Sequence, residues 1–340
     1  MKNTKRHINI PIFIPHIGCP NDCVFCNQRR ISGVSSFAKE DCGPLIERYL
    51  ATSDPFSECE IAFFGGSFTG IDRGDMLYLL QTAYKYVESG RVESIRLSTR
   101  PDYIDVERLD ILKKYGVRVI ELGLQSCDPE VLRAAKRGHT FADEKNACAL
   151  IKEYGFTLIG QMMIALPSST LEKELATARF ISENCDGARV YPTVVFRDTE
   201  LYGMYEKGVY TPPTLDDAVM RTGEVLDLFD KRGTNVIRVG LQSGENLLDE
   251  SSCVTSTYHP AIGEMASSYV FYKRIAEKLP DPASLSGKTL VVSVPKGKIS
   301  QAIGQKRMNC LKLKEKFSLK SVKAVENDGL FGYNVKIDII

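Results

Sequence analysis

Long apolar runs, signal-peptide features, internal repeats and low-complexity tracts are all missing from this sequence. No run approaches the roughly 18 to 20 apolar residues that a helix needs to cross a bilayer. The basic segment Met1 to Pro11 lacks the apolar stretch of a signal peptide. We therefore expect a cytoplasmic protein with no membrane partner. The formal net charge is only +1, so overall charge says nothing about a nucleic-acid partner.

A disulfide framework is also excluded, although the chain has ten cysteines. A chain of 340 residues is too long for a disulfide-stapled mini-protein, and the reducing cytosol would not sustain such bridges. Three of the cysteines nevertheless fall close together, in the loop after the first predicted strand. They are Cys19, Cys23 and Cys26, with the spacing C-x3-C-x2-C. This cluster of thiols needs its own explanation.

Three closely spaced thiolates can bind three irons of a cubane 4Fe-4S cluster from one short loop. The fourth iron then lacks a protein ligand and can chelate the amino and carboxylate groups of S-adenosylmethionine (SAM), whose sulfonium is cleaved on reduction. The alternative is a structural zinc site in which His16 is the fourth ligand. Structural zinc ligands usually come as two pairs, and the sequence has no partner pair. The spacing therefore favours the iron–sulfur cluster.

Six β-rich runs alternate with helical stretches over the first 200 residues. The predicted strands are Ile8–Ile14, Ile61–Phe64, Ser94–Leu97, Val117–Leu124, Thr157–Ile164 and Ala188–Phe196. Several are continuous apolar runs, as expected for a parallel sheet covered on both faces. Repeated β/α units predict a barrel or an open parallel sheet, with active-site residues at the carboxyl ends of the strands.

The later part of the chain predicts two further units. Residues 201–280 are expected to close the barrel, with a helix, a strand and a polar loop at 242–256. Pro280-Asp281-Pro282 reads as a linker. Residues 285–340 then form a small basic α/β unit, which contains ten Lys and one Arg against two Glu and two Asp.

The cysteine spacing resembles the loop that defines the radical SAM superfamily. The resemblance continues in Phe63-Phe64-Gly65-Gly66-Ser67-Phe68, which ends the second predicted strand where the superfamily has a Gly-Gly motif. In that family the backbone of this motif meets the amino group of SAM, and glycine permits the close approach. Ser67 stands where the family often has Glu, so the resemblance implies that backbone carbonyls bind the amino group here.

Four further segments resemble one branch of that superfamily, the catalytic subunit of Elongator and its bacterial and archaeal relatives. They are Ser98-Thr99-Arg100-Pro101-Asp102, Glu121-Leu122-Gly123-Leu124-Gln125-Ser126, Arg137-Gly138-His139-Thr140 and Tyr258-His259-Pro260-Ala261-Ile262-Gly263-Glu264. The resemblance runs from Ile10 to Tyr272. It implies a partial (β/α)6 barrel, a 4Fe-4S cluster, SAM, an external electron donor and a tRNA substrate modified at a uridine of the anticodon loop.

Elongator-like proteins normally carry a C-terminal acetyltransferase domain, which the residues after Tyr272 are too few to form. No glycine-rich coenzyme A phosphate loop occurs either. The resemblance therefore leaves two possibilities for the acyl group. Either a separate protein supplies it, or the reaction differs.

The same segments supply the candidate cofactor-binding residues. Arg100 and Gln125 follow strands, where a guanidinium or an amide can hold the SAM carboxylate or ribose; the alternative is a polar cap on the barrel mouth. Glu121 lies inside an apolar strand, and we expect it either to touch SAM or to pair with an arginine. Arg137 and His139 can reach SAM or substrate, or lie on a surface loop.

Tyr258 and His259 are the candidate catalytic residues. A histidine exchanges protons near neutral pH, and a tyrosine can donate a hydrogen atom or a hydrogen bond. The alternative is a proline-stiffened loop that closes the barrel. The other seven cysteines show no second cluster spacing and are interpreted as small buried apolar side chains, which argues against a methylthiotransferase-like enzyme.

The basic tail predicts a strand at Thr289–Val294, a helix, the loop Gly304-Gln305-Lys306-Arg307, a second helix and two strands. This order resembles a KH RNA-binding module. Arg307 replaces the last glycine of the KH loop. Lys298, Lys306, Arg307 and Lys312 can meet phosphates; the alternative is a solvated helix face.

Two other functions remain open at this point. One is a radical enzyme that acts on a small molecule such as a tetrapyrrole, and the other is a non-enzymatic RNA-binding protein with a structural metal.

Overall fold

The computed structural model describes residues 7–20, 23–34, 36–54, 57–241, 251–254 and 258–340. Most of the predicted polar loop at 242–256 therefore lies outside the described residues. In the part of the chain that is described, no helix is long and apolar enough to cross a bilayer.

Seven parallel strands form one sheet in which the spatial order follows the chain. They are β1 (His7–Phe13), β2 (Glu58–Phe64), β3 (Ser94–Thr99), β4 (Val117–Gln125), β5 (Thr157–Ile164), β6 (Gly187–Pro192) and β7 (Asn235–Val239). Each strand pairs with the next in parallel register. Among the described residues β1 and β7 do not pair, so the barrel is partial. The predicted fold class is confirmed, and β7 extends the six predicted units by one strand.

Helices connect the strands. They are α1 (Gln28–Ser32), α2 (Cys42–Thr52), α3 (Arg73–Glu88), α4 (Val106–Lys114), α5 (Pro129–Ala134), α6 (Phe141–Glu153), α7 (Leu171–Asn184), α8 (Glu200–Glu206), α9 (Leu215–Lys231) and α10 (Ile262–Lys278). Side chains that accept a hydrogen bond from the first helical turn start several of them, including Asp105 of α4 and Thr140 of α6. Such a cap satisfies backbone N–H groups that have no partner within the helix.

The two faces of the sheet differ in polarity. In β4 the alternate residues Ile120, Leu122 and Leu124 are fully buried in the main apolar core. Glu121 and Gln125, which alternate with them, point to the opposite face because successive side chains in a strand do so. The core thus lies between the sheet and its helices, and the inner face of the barrel carries polar groups.

The tail forms a second sheet of three strands. These are β8 (Thr289–Val294), β9 (Ser321–Glu326) and β10 (Lys336–Ile339), in the order β10-β8-β9. Strand β8 runs parallel to β9 and antiparallel to β10. Two helices, α11 (Ile299–Ile303) and α12 (Met308–Phe317), lie between β8 and β9 in the chain.

The tail packs against α10, so residues 280–282 are not the only connection between the two parts. Phe271 and Ile275 of α10 belong to the apolar core of the tail. The buried amide of Asn309 donates to the carbonyl oxygen of Ser268 at 2.8 Å, and Lys278 Nζ donates to the carbonyl oxygen of Val335 at 2.5 Å. The predicted boundary at residues 280–285 therefore separates two parts that share one core.

Candidate active site

The cysteine loop leaves the carboxyl end of β1 and lies across the end of β2. The His16 amide donates to the Gly65 carbonyl oxygen at 2.9 Å, and the Ser67 amide donates to the Ile17 carbonyl oxygen at 3.0 Å. A β-carbon at Gly66 would lie 2.3 Å from the Ile17 oxygen and 2.6 Å from the Ile14 oxygen. Glycine is required there because any side chain would push the loop off the strand end. The Gly-Gly pair therefore positions the cysteine loop itself.

The thiols of the loop are close enough to influence one another. The pKa of Cys26 is raised to about 12 by burial, and the neighbouring Cys23 and Cys19 raise it further. Three thiolates in this position repel each other and need a cationic partner, which the irons of a cluster provide. In the described chain no three Cys, His, Asp or Glu side chains converge closely enough to hold a single metal ion. Three thiols on one short loop are the donor set that a 4Fe-4S cluster takes.

His16 does not fit the role of a zinc ligand. Its Nε2 atom accepts a hydrogen bond from the Gln28 backbone amide at 2.9 Å. Metal coordination through that nitrogen would require the bond to break and would leave a helix N–H without a partner. The contact instead fixes the start of α1 against the loop that carries the three cysteines.

Two buried arginines stand behind the cysteine loop. Arg100 donates to both carboxylate oxygens of Asp102 at 2.9 Å and also to the carbonyl oxygen of Arg137. Arg137 donates through Nη1 to Cys23 Sγ at 3.1 Å and through Nη2 to the Gly123 carbonyl oxygen at 2.6 Å. The site is therefore cationic, and it is connected to a cysteine by a direct hydrogen bond.

Three buried polar atoms at this place lack a hydrogen-bond partner among the described residues. They are Arg100 Nη1, Arg137 Nε and Gln125 Oε1. Buried groups of this kind are normally satisfied, so unpaired ones indicate a ligand that completes them. A guanidinium suits the carboxylate of SAM, and an amide oxygen suits a ribose hydroxyl. The residues present therefore fit SAM bound beside the cysteines.

A cavity of about 900 Å³ opens against Cys23 and Cys26. Its rim includes Arg29, Arg30 and Arg197, together with Asp198 and Glu200. The Arg30 guanidinium pairs with Asp198, which follows β6. It also donates to Ser252 Oγ, which follows β7, at 3.1 Å. Sequence reasoning missed this rim, although two arginines directly after a cysteine motif were a usable signal.

Comparison with protein families identifies the fold. The model described as "Radical SAM superfamily" matches residues 13–181, and the model described as the Radical SAM C-terminal domain matches residues 185–270. This chain belongs to the radical SAM superfamily. A 4Fe-4S cluster and SAM are the cofactors of that superfamily, and the cysteines and unpaired donors of this chain fit both.

Proteins of the Elongator branch are similar to part of this chain. The tRNA uridine(34) acetyltransferase of Methanocaldococcus jannaschii is 29% identical over 195 residues, which are 51% of this chain and 36% of that protein. Elongator complex protein 3 of Saccharomyces cerevisiae is 32% identical over 204 residues, 54% of this chain and 37% of that protein. The chain thus spans little more than a third of the length of these relatives.

A solved structure shares the fold of this chain. The structure of archaeal Methanocaldococcus infernus Elp3 matches 82% of this chain and 70% of its own chain, with a TM-score of 0.61 and 19% identity. At that identity the match shows a shared fold and nothing finer.

Glu121 of this radical SAM barrel pairs with arginines, which is one of its two predicted roles. It lies 2.9 Å from Arg96 Nη1 and 2.7 Å from Arg189 Nε, and its other contact is Gln161 Nε2 at 2.9 Å. Arg96 also pairs with Glu60 of the neighbouring strand. These charges lie on the inner face of the barrel, which explains how a carboxylate is tolerated in an otherwise apolar strand.

The His139 side chain contacts Glu144, whereas Arg137, two residues earlier, contacts Cys23. Its Nε2 atom lies 2.9 Å from Glu144 Oε1 of α6, and both side chains are fully buried. Burial lowers the pKa of His139 to about 3, with Arg137 and Arg100 as further causes. Burial also raises the pKa of Glu144 well above its ordinary value. We therefore assign the pair to the protein interior, and sequence reasoning missed Glu144.

Tyr258 and His259 precede α10 at the barrel mouth. The Tyr258 ring packs near Val194 and Phe196 after β6, and its buried hydroxyl lacks a partner among the described residues. His259 Nδ1 accepts from the Ala261 amide at 3.1 Å, so the proton of the neutral ring is on Nε2. Neither residue belongs to the described lining of the 900 Å³ cavity. Their catalytic role stays a prediction.

The candidate RNA-binding residues of the tail lie at and around one exposed loop tip. Lys306 and Arg307 are exposed and have left-handed backbone, with φ of 49° and 59°. Lys298 begins α11, and Lys312 lies on α12 with its Nζ 6.0 Å from the Tyr272 ring centroid. Gly304 is buried, and a β-carbon there would lie 2.9 Å from Ser268 Oγ. The Gly304 end of the loop therefore packs on α10, whereas Lys306 and Arg307 are exposed to solvent.

Proposed function

We propose that this protein is a radical SAM enzyme that modifies tRNA at a uridine. One observation carries the enzymatic part: three unpaired buried polar atoms lie beside a thiol loop that fits a 4Fe-4S cluster. The relative from Methanocaldococcus jannaschii is named a tRNA uridine(34) acetyltransferase, and this name supports the choice of substrate. The proposal places the protein in the cytoplasm, where its ten free cysteines stay reduced.

The residues of this chain divide the work in the proposal. When bound, the reduced cluster and SAM supply a 5′-deoxyadenosyl radical. Arg100, Gln125 and Arg137 hold SAM through the atoms that now lack partners, and backbone groups at Gly65, Gly66 and Ser67 meet its amino group. The arginine rim of the cavity orients an anionic substrate against the cysteines. Tyr258 and His259 act on the substrate from the start of α10.

The tail supplies the second contact to RNA. Lys306 and Arg307 project from a loop whose other end is fixed on α10, so their distance from the barrel mouth is set by the fold. Phosphates bound there would place the RNA at a defined distance from the site where the radical forms. A substrate of small size, such as a tetrapyrrole, would leave this arrangement without use.

The proposal requires two outside components. An external donor must supply one electron to the cluster for each SAM cleaved. Uridine acylation would in addition require an acyl donor, a role that the proposal gives to a separate protein.

Anaerobic reconstitution followed by an assay of SAM cleavage tests the enzymatic part. With dithionite, the wild type should form 5′-deoxyadenosine, and Cys23→Ala should form less than about a hundredth as much because a cluster ligand is missing. Cys59→Ala is the matched control, since Cys59 lies at the amino end of β2, away from the cysteine loop. It should retain wild-type cleavage.

Addition of bulk tRNA that lacks modification then tests the substrate. We expect tRNA to increase 5′-deoxyadenosine formation and to acquire a new nucleoside mass. Cleavage that tRNA does not affect would contradict the tRNA proposal while leaving the radical SAM assignment intact. Zinc in place of iron and labile sulfide would contradict both.

A further inference from the structure

The guanidinium of Arg137 is buried against a cluster ligand, with Nη1 3.1 Å from Cys23 Sγ. We propose that Arg137 is a positioning residue that acts through Cys23 to raise the reduction potential of the cluster. This role concerns the cluster itself, whatever the final substrate. It is compatible with a SAM contact through Nε, which is the one nitrogen of this side chain that lacks a partner among the described residues.

Arg137 is held in place from several sides. Its Nη2 donates to the Gly123 carbonyl oxygen at 2.6 Å, and its own amide donates to the Leu132 carbonyl oxygen at 2.9 Å. Its carbonyl oxygen accepts from Arg100. A side chain that is fixed in this way contacts the sulfur at a defined distance instead of sampling many rotamers.

The segment that carries Arg137 also binds the backbone of the cysteine loop. The amide of Val24 donates to the Ala135 carbonyl oxygen at 3.2 Å. Val24 follows Cys23 directly, so two neighbouring positions of the loop are bound by two positions of one segment. The N–H···S contact therefore rests on a backbone anchor beside it.

The charge of Arg137 is not cancelled by an ion pair. Arg100 is paired with Asp102 through two hydrogen bonds, whereas no carboxylate pairs with Arg137 in the described part of the chain. Arg137 is only 6% exposed, so solvent screens its charge weakly.

The hydrogen bond to Cys23 and the positive charge of Arg137 both favour the reduced cluster. Reduction adds one electron, delivered by dithionite in the test below, and no bond is formed or broken in that step. The added negative charge lies partly on the cysteine sulfurs, so a hydrogen bond to a sulfur and a nearby positive charge stabilise the reduced form. Loss of Arg137 should make the cluster harder to reduce.

The test is a redox titration of the reconstituted protein without SAM, in which electron paramagnetic resonance measures the reduced cluster. At the midpoint potential of the wild type, the ratio of reduced to oxidised cluster in Arg137→Gln should fall at least about tenfold, which is about 59 mV for one electron. Arg133→Gln is the matched control, because Arg133 is an exposed arginine at the end of α5. Its midpoint should equal that of the wild type.

Arg137→Lys keeps the positive charge. The single ammonium group of lysine cannot donate to both the Cys23 sulfur and the Gly123 carbonyl oxygen, as the planar guanidinium does. We expect a shift in the same direction and smaller than that of the glutamine variant. If the glutamine variant fails to hold iron and sulfide, the lysine variant carries the test alone. A wild-type midpoint in whichever of these variants retains a full cluster would overturn the proposal.

Discussion

At the scale of single residues, some residues of this site hold the cysteine loop in position, in addition to any contact with a ligand. Gly66 shows this most clearly, since the space that its missing β-carbon leaves is filled by the carbonyl oxygens of Ile14 and Ile17. The family resemblance implied a SAM contact at this position, and that role stays a prediction. The structure adds a mechanical reason for glycine, which follows from the close passage of two backbones.

The pair His139 and Glu144 allows a prediction at the same scale. In the folded state the pKa of Glu144 is raised, so the carboxyl keeps its proton at pH values well above the ordinary pKa. In the unfolded chain the carboxyl loses this proton above about pH 4.5. Glu144 therefore costs stability that increases as pH rises, by up to about 1.4 kcal/mol per pH unit until the folded pKa is reached. The stability cost of His139 changes with pH in the opposite direction. Its folded pKa is lowered to about 3, so its cost increases as pH falls below about 6.5.

Glu144→Gln should remove the cost on the alkaline side, because the amide is uncharged at all pH values and can still donate to His139. The difference in unfolding free energy between this variant and the wild type should increase from pH 5 to pH 8, as measured by anaerobic urea denaturation. Glu153→Gln, on the exposed side of α6, is the control and should show no such trend. A difference that does not change with pH would contradict a protonated Glu144.

Sequence patterns located the site residues unevenly, for physical reasons. The grouping of the three cysteines was visible in the sequence because they fall within one short segment, and their role as cluster ligands stays a prediction. The partners of Arg137 were not, because Cys23 is far away in sequence and only the fold brings it within 3.1 Å. The pairing of Glu121 was foreseen as one alternative, since a buried carboxylate needs a cation, but its two arginines come from different strands.

At the scale of elements, the β/α pattern predicted the six strands of the barrel with small errors at their ends. The sixth predicted strand, Ala188–Phe196, runs past the observed end at Pro192, because the apolar residues that follow it are buried against Cys253 and Tyr258 and do not continue the strand. The tail strand predicted at Thr289–Val294 has the observed bounds. Apolar runs thus marked burial reliably, whereas they did not distinguish a strand from a buried loop.

The docking of the tail on α10 was not predictable from the linker-like Pro280-Asp281-Pro282. It depends on contacts such as those of Asn309, whose buried amide donates to the carbonyl oxygens of Ser268 and Ala302 and to Ser268 Oγ, at 2.8 to 3.0 Å. These contacts join α11, α12 and α10 at one point. The Asn309 side chain is therefore one of the polar links between the tail and the barrel extension.

Asn309→Ala should destabilise the protein by about 1–3 kcal/mol, because two buried carbonyl oxygens lose their donor. Urea denaturation measures this loss. Gln305→Ala in the same loop is the control, since Gln305 is exposed and should change stability by less than about 0.5 kcal/mol. Equal stability of the two variants would show that Asn309 does not hold the tail.

At the scale of the whole molecule, charge is distributed unevenly although the net charge is +1. The tail is basic, and its fixed seat on α10 gives that charge a defined position relative to the cysteine loop. Helix α10 is the connecting element, because the Tyr258–His259 segment lies at its amino end and the tail packs along it. The tail and the Tyr258–His259 segment are therefore connected through one helix.

Replacing the charges of the loop tip should weaken RNA binding without affecting the chemistry of SAM. We expect the double variant Lys306→Gln/Arg307→Gln to bind unmodified tRNA more weakly, and the slope of log affinity against log salt to fall by about 1.5, because each lost phosphate contact removes about 0.7 to 0.9. Its rate of SAM cleavage without tRNA should equal that of the wild type. The matched control is Lys320→Gln/Lys323→Gln, which removes the same charge from exposed residues at β9. If both double variants lose affinity equally, the tail attracts RNA only through its overall charge and the loop tip is not a binding site.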